Sequence, residues 1–250
     1  MAIRFFLLLV ILGLFSASAY TCELKVRTYP FAPLSVQNKD KSWSGVDIEY
    51  VKAFANALDC NVEFVVAPWA RGLALLKNGD IDMMANVTKS TKREKDFYFI
   101  GPQRHETIRL VSVKGAFEDI TNWQQFAILD VVLMRQKGSL FDAKFEKALK
   151  QNYRLKANLV ELSSNEIRMS LLKKGRIHGT FVDEFILRYR LKNDKTLPPL
   201  TVHPLVMSRT PVYFALSKKN FSKAQIAEYT EVFEQLKLSE SYQKLGKIRD

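Results

Sequence analysis

Residues 68–93 read PWARGLALLKNGDIDMMANVTKSTKR, and the order of properties along this stretch decides the fold class. The spacing predicts a short helix over 69–77, stopped by Asn78-Gly79, because glycine tolerates the left-handed backbone that ends a helix. An apolar strand follows over 81–87. A helix leading into a buried strand is one unit of an α/β chain, and the alternation continues in both directions. Upstream, strand-like runs from Leu24 to Tyr29 and from Val62 to Val66 flank a helix. Asp47 reads as the cap of that helix, with Ile48, Val51, Ala55 and Leu58 at helical spacing. Downstream come a strand over 108–113 and a helix opened by Ser139 that carries Leu140, Phe141, Phe145 and Ala148. Ser164 opens the next helix, with Ile167 and Leu171 inward and Gly175 after its end. A buried strand over 177–182, a helix through Leu191, a strand over 212–216 and a long C-terminal helix capped by Ser222 complete the pattern.

Such alternation predicts parallel sheets covered by helices. Strand-rich crossings stand out near 106–110 and 208–214. A chain that enters a second domain once and returns once needs two such crossings, which makes the first domain discontinuous. The expected organisation is a leader over 1–19, a first lobe from 20–107 and 209–250, and a second lobe over 108–208.

Composition bounds the function classes. The 250 residues are 47% hydrophobic and 26% charged, ordinary globular usage that excludes disorder for most of the chain. Two cysteines rule out a disulfide-dense scaffold or a four-cysteine zinc module, and His105, His178 and His203 lack metal-ligand spacing. The formal charge of +12 raises nucleic acid and membrane surfaces as partners. Lys and Arg are spread along the chain with no aromatic-interleaved basic tract, so neither is expected. Arg4, the apolar run from Phe5 to Phe15 and Ala17-Ser18-Ala19 form a secretory signal pattern, with cleavage expected after Ala19. The run is too short to span a bilayer. Export changes the reading of Cys22 and Cys60. Each precedes a strand, and parallel neighbours would bring the strand starts together. Two free thiols are the alternative, but matching positions in an oxidising space favour a disulfide.

At this point the residues carry a resemblance. Gly45-Val46-Asp47-Ile48-Glu49 resembles a helix start of the bacterial extracellular solute-binding proteins of family 3. Pro68-Trp69-Ala70-Arg71 and Leu76 to Asp82 are similar to that family's next conserved stretch. Asn86 to Arg93 resembles its ligand loop, and Phe97 to Pro102 matches loosely. Gln103, where the family often has an aromatic residue, and Asn86, in place of a frequent glycine, depart from it. The resemblance implies two α/β lobes joined by two crossover strands, the type II periplasmic-binding-protein fold, closing on a small ligand. It also implies delivery of polar amino acids to an inner-membrane ABC permease by a monomer in the periplasm, without cofactor, metal or catalytic residues.

The candidate ligand residues are Phe31, Trp69, Asn86, Thr88, Arg93, Ser139 and Asp183. A zwitterion needs a cation for its carboxylate and an anion for its ammonium. Arg93 offers a planar fork that donates paired hydrogen bonds. In a run with Lys89, Lys92 and Lys95 it also reads as a solvated charge, and the spacing from Thr88, seen as resemblance, favours the ligand role. Asp183 follows an apolar strand and opens a helix, the end of a strand where α/β ligands bind. The resemblance places an ammonium-binding Asp there, and a plain helix cap is compatible with that role. Gly138-Ser139 reads equally as an anion site at a helix start or as a routine cap. Phe31 and Trp69 offer flat faces for a ligand side chain or a cation, or else core packing. Arg71 reads as a surface charge.

The leading function is therefore a transport receptor for an amino acid or a small organic anion. A ligand-sensing domain acting with a membrane receptor is the second reading, and an enzyme the third. Glu161, Glu166 and Glu184 are available acids, but nothing singles them out, and fold alone does not fix function.

Overall fold

The computed structural model describes residues 22–113, 116–117, 119–163 and 167–245. The leader over 1–19, Ser164 and Glu166 lie outside the described residues. Strand β1 (Cys22–Thr28) turns Leu24, Val26 and Thr28 inward, the two-residue period of a pleated strand. It lies between parallel neighbours β4 (Cys60–Val66) and β5 (Met83–Thr88). A small hairpin of β2 (Val36–Gln37) and β3 (Trp43–Ser44) follows β1. Helix α1 (Val46–Ala57) then crosses from β1 to β4, and α2 (Trp69–Asn78) from β4 to β5. The α2 helix stops at Gly79 in the left-handed conformation, as Asn78-Gly79 predicts.

The second half repeats this pattern. Parallel strands β7 (Leu133–Gln136), β8 (Leu159–Leu162) and β9 (Gly179–Asp183) carry α3 (Ala143–Gln151), α4 (Tyr153–Ala157) and α5 (Ile167–Lys173). Helix α6 (Glu184–Asn193) follows β9. Two long strands, β6 (Phe97–Val113) and β10 (Leu200–Ser217), run antiparallel between the halves. One sheet results, in the order β4-β1-β5-β10-β6-β9-β7-β8. The last helices among the described residues are α7 (Lys223–Leu238), capped by Ser222 as expected, and α8 (Glu240–Gln243).

The stretches read as crossings face each other. Glu106 lies opposite Thr210, and Ile108 opposite Ser208. Both strands extend beyond the predicted 108–113 and 212–216, because they pair with each other from Phe97 and Ser217 to Val113 and Leu200, well beyond the segments that pair with β9 and β5. Pro204 and Pro211 supply no ladder donor, and register shifts between Val202 and Val206, Val206 and Ser208, and Val212 and Phe214 break the pairing nearby. One apolar core gathers Leu24, Val26, Phe54, Phe214 and Phe233, with Phe54 stacked on Phe214 at 4.9 Å. Another gathers Leu110, Phe126, Phe145 and Phe181. Leu34 joins Val111, Val182, Ile186 and Leu187 in a smaller cluster that ties the loop after β1 to the second half.

Cys22 and Cys60 stand directly opposite each other at the starts of β1 and β4 and are bonded. The bridge closes a separation of 38 residues, a constraint on the unfolded chain of roughly 2–4 kcal/mol. Among the described residues no helix is long and apolar enough to cross a membrane.

The helices differ from the sequence reading at two starts and on one face. Asp47 does not cap α1. Gly45 holds the cap position at φ 112, and the first helical N–H groups, of Val46 and Asp47, donate to the carbonyls of Pro33 and Leu34. A side-chain cap is therefore unnecessary, and a Cβ at Gly45 would lie 2.7 Å from those same oxygens. Ser139 does not open a helix. Its N–H and hydroxyl both donate to the Gln136 carbonyl, and α3 starts after Asp142, whose carboxylate accepts from Phe145 N–H. On α5 the inward residues are Arg168 and Leu172, at 6% and 0% exposure, while Ile167 is 44% exposed. The apolar pair Ile167 and Leu171 predicts a face shifted by one position. A buried arginine among polar neighbours gives no apolar signal to set the phase.

Candidate functional site

At the C-terminal ends of parallel strands the chain turns towards the next helix, and in α/β sheets ligands bind in the crevice outside those ends. Here the C-terminal ends of β1, β5, β7, β8 and β9 converge on one cavity of about 120 Å³. All the candidate ligand residues line it: Phe31, Trp69, Asn86, Thr88, Arg93, Ser139 and Asp183. Arg71 does not, and it is exposed.

Arg93 sits at the start of a single turn of 3-10 helix (Arg93–Lys95) and is 8% exposed, so it is not a solvated charge. One guanidinium nitrogen donates to the Thr88 carbonyl at 2.6 Å and the other to the Gly138 carbonyl at 2.7 Å. The indole N–H of Trp69 points at the same Gly138 oxygen, 3.3 Å away. Gly138 has φ 81, a conformation that glycine adopts without a Cβ penalty. These contacts join the β5 loop and α2 to the turn after β7. Ser139 contributes its position on the cavity wall rather than free helix donors.

The aromatic faces are engaged by the protein's own cations. The Arg27 guanidinium lies 5.4 Å from the Trp69 ring, and those of Arg168 and Arg190 lie 6.0 Å from the Phe31 ring. Such contacts are within cation–π range.

Asp183 occupies the junction of β9 and α6. One oxygen caps α6 through Phe185 N–H at 2.7 Å, so the cap reading of this residue holds. The other accepts from Arg104 at 2.9 Å, in an ion pair whose side chains are 11% and 3% exposed. Glu106 also lines the cavity and shares a hydrogen bond with Asp183. Burial, with the negative field of Asp183, pushes its carboxyl up to about 8 against the pull of Arg104. Burial likewise raises Asp47, another lining residue, to about 6.

The residues that depart from the family pattern meet here. Asn86 has φ 62, a left-handed conformation that asparagine tolerates better than most residues and glycine best of all. Its N–H donates to the Gln103 side-chain oxygen at 2.9 Å, and the Gln103 amide nitrogen reaches towards Asp47 at 3.4 Å. The side-chain oxygen of Asn86 is buried without a hydrogen-bond partner.

Arg27, Glu106 and Arg168 also line the cavity, and the sequence reading had not singled them out as ligand residues. Arg27, near the C-terminal end of β1, is legible by the strand-end rule. Arg168 is hidden by the helix-phase error. Glu161 pairs with Arg135, and Glu184 with Arg109 and Arg188, so both are engaged outside the cavity. Among the described residues no group of His, Cys, Asp or Glu is placed to hold a metal ion.

The raised Glu106 carboxyl makes a prediction. A folded-state value above the unfolded value of 4.5 favours folding at low pH, and that advantage is lost as pH rises through about 8. Glu106→Gln removes the titration. Urea unfolding of both proteins between pH 5 and pH 8 is expected to show the variant gaining on the wild type as pH rises. A stability difference that stays constant with pH would contradict the raised value.

The sequence profile of the bacterial extracellular solute-binding proteins, family 3, matches residues 24–247. The chain belongs to that family. It is 27% identical to the L-cystine-binding protein TcyJ of Escherichia coli strain K12 over 194 residues, 77% of this chain and 69% of the relative. Among solved structures, the amino acid ABC transporter substrate-binding protein AbpA of Streptococcus pneumoniae, bound to L-arginine, superposes with a TM-score of 0.73. Its identity is 25%, over 89% of this chain and 92% of that one. An ancestral amino acid-binding protein, described as a precursor of cyclohexadienyl dehydratase, superposes with a TM-score of 0.71 at 23% identity, over 89% and 92%. The chain therefore has the two-lobed α/β fold of solute-binding proteins, with β6 and β10 as its crossover strands.

Proposed function

We propose that this protein is the solute receptor of an ABC importer and captures a small amino acid-class solute between two lobes in the periplasm, after cleavage of its leader following Ala19. In this reading the first lobe comprises 20–107 and 209–250, and the second 108–208. Arg93 takes the solute carboxylate, and Asp183, with Asp47 nearby, faces an ammonium if one is present. Trp69, Phe31, Asn86, Thr88 and Ser139 form the walls. The observation that carries the reading is the convergence of these residues, from strand ends in both halves of the sheet, on one cavity. The names of the relatives, L-cystine-binding and L-arginine-bound, support an amino acid-class solute. The ancestral dehydratase precursor has the same fold, but fold does not transfer an activity.

A thermal-shift screen of amino acids and small organic anions, followed by solution scattering on the best binder, tests the reading. A solute at ~100 times its dissociation constant adds ~2.7 kcal/mol of stability. Because the bound solute touches both lobes, it is expected to favour the closed state and reduce the radius of gyration. A scattering profile unchanged at saturation would remove the closure reading. Turnover of the bound solute would replace the receptor with an enzyme.

A further inference from the structure

In the cavity that the proposed function treats as the solute site, three guanidiniums stand outside the ion pairs seen among the described residues. Arg27, Arg93 and Arg168 all line it. Each donates to main-chain carbonyls: Arg27 to Ala67 at 2.8 Å, Arg93 to Thr88 and Gly138, and Arg168 to Phe181. A guanidinium presents several N–H donors in a fixed fork, so these contacts use only part of each. Among the described residues the arginines in ion pairs are Arg104, Arg109, Arg135 and Arg188, and these three are not among them.

The acids of the cavity offset these cations only in part, through the fields of Asp47 on Arg27 and Glu106 on Arg168. Asp183 is paired with Arg104, and Glu106 is hydrogen-bonded to Asp183. Asp47 lies in the field of both Arg104 and Arg27. Burial depresses Arg27 and Arg93 to about 10 and Arg168 to about 9, yet all remain charged at neutral pH. Burying a cation without a counter-charge is costly, so a carboxylate beside these guanidiniums would be stabilised. Beside these guanidiniums a cationic side chain would meet like charges, and a neutral amino acid would bring one carboxylate to the three of them.

We propose that the solute is a net anion carrying two carboxylate groups, at least one of them uncompensated by an ammonium, held by the guanidiniums of Arg93, Arg27 and Arg168. This rests on the reading of the cavity as the solute site and adds a charge class to it. An acidic amino acid and a plain dicarboxylic acid share that chemistry and differ only in the ammonium.

Calorimetry on the mature, disulfide-bonded protein, freed of carried-over solute by unfolding and refolding, tests the proposal. The panel pairs L-glutamate with glutarate and L-aspartate with succinate, which separates the two sources. It sets them against L-glutamine, L-arginine and L-cystine. At least one dicarboxylate is expected to bind about 30-fold or more tightly than every solute without a second uncompensated carboxylate, the scale of one buried charge contact. Arg168→Met is expected to collapse the preference for that dicarboxylate over its monoamide, and Arg168→Lys to restore part of it. If Arg168→Met does not fold, Arg27→Met serves the same comparison. Tighter binding of L-arginine, L-cystine or L-glutamine overturns the dicarboxylate assignment while the receptor reading stands. If nothing in the panel binds, both fail.

Discussion

Replacing Arg93 with alanine is expected to weaken solute binding by about 30-fold to several thousand-fold, the equivalent of roughly 2–5 kcal/mol for truncating one member of a buried charge contact. Arg93 is 8% exposed, and its guanidinium reaches both the Thr88 and the Gly138 carbonyls. The side chain therefore has two tasks in the proposed receptor. It presents a charged fork to a carboxylate, and it ties the β5 loop to the turn after β7. Alanine removes both. Arg93→Lys keeps the charge but loses the planar fork that pairs with a carboxylate through two parallel bonds, so it is expected to fall between alanine and wild type. Calorimetry gives the affinities, and scattering shows whether the alanine variant still closes at saturating solute. Binding within threefold of wild type by a folded Arg93→Ala protein would remove Arg93 from the carboxylate site.

Some of this site was legible in the sequence because the physical cause is local. A helix followed by a stop and an apolar strand repeats along the chain, so the α/β class and the crossing stretches can be read from it, and the matching strand starts of Cys22 and Cys60 favour their pairing over free thiols. Strand ends can also be marked, which singles out Asp183, while Thr88 stands out only through the resemblance of its loop to the family's. What remained hidden depends on contacts distant in sequence. Arg168 lies on a helix whose apolar residues Ile167 and Leu171 suggest the wrong face, and its burial comes from the Phe181 carbonyl and the Phe31 ring. Glu106 lies in the middle of a strand, where nothing local distinguishes it from a solvent-facing acid. Asp47 looked like a helix cap because no sequence pattern shows that the carbonyls of Pro33 and Leu34 already receive those N–H groups. Gln103 and Asn86 looked like unrelated departures from a family pattern, yet they form a single hydrogen-bonded unit.

Asp183→Asn is expected to destabilise the unliganded protein by about 3–5 kcal/mol, the cost of leaving a buried partner charge uncompensated. The partner is Arg104, whose side chain is 11% exposed and whose Nε and one further terminal nitrogen are buried without hydrogen-bond partners. Burial opposes the Arg104 charge, but the fields of Asp183, Asp47 and Glu106 outweigh it and hold its pKa above the ordinary value. Asparagine can still cap α6 through its oxygen, so loss of the cap contributes little. Glu106 provides a partial remedy. Without the negative field of Asp183 its own pKa falls, and it ionises to take over part of the pairing. The loss should therefore sit at the lower end of the range for the single variant and grow when Glu106→Gln is added. Arg104→Met combined with Asp183→Asn should recover much of the stability, because an apolar replacement of a buried pair is often close to neutral. Urea unfolding without solute measures all of these. A single-variant loss below about 1 kcal/mol would place the pair among the weak, solvent-screened contacts instead. The outcome also governs how solute affinity is read. Asp183 closes the ion pair at the crossover strand as well as facing the cavity, so a drop in affinity for Asp183→Asn reports on an ammonium contact only if the free protein remains folded and a solute without an amine is affected much less.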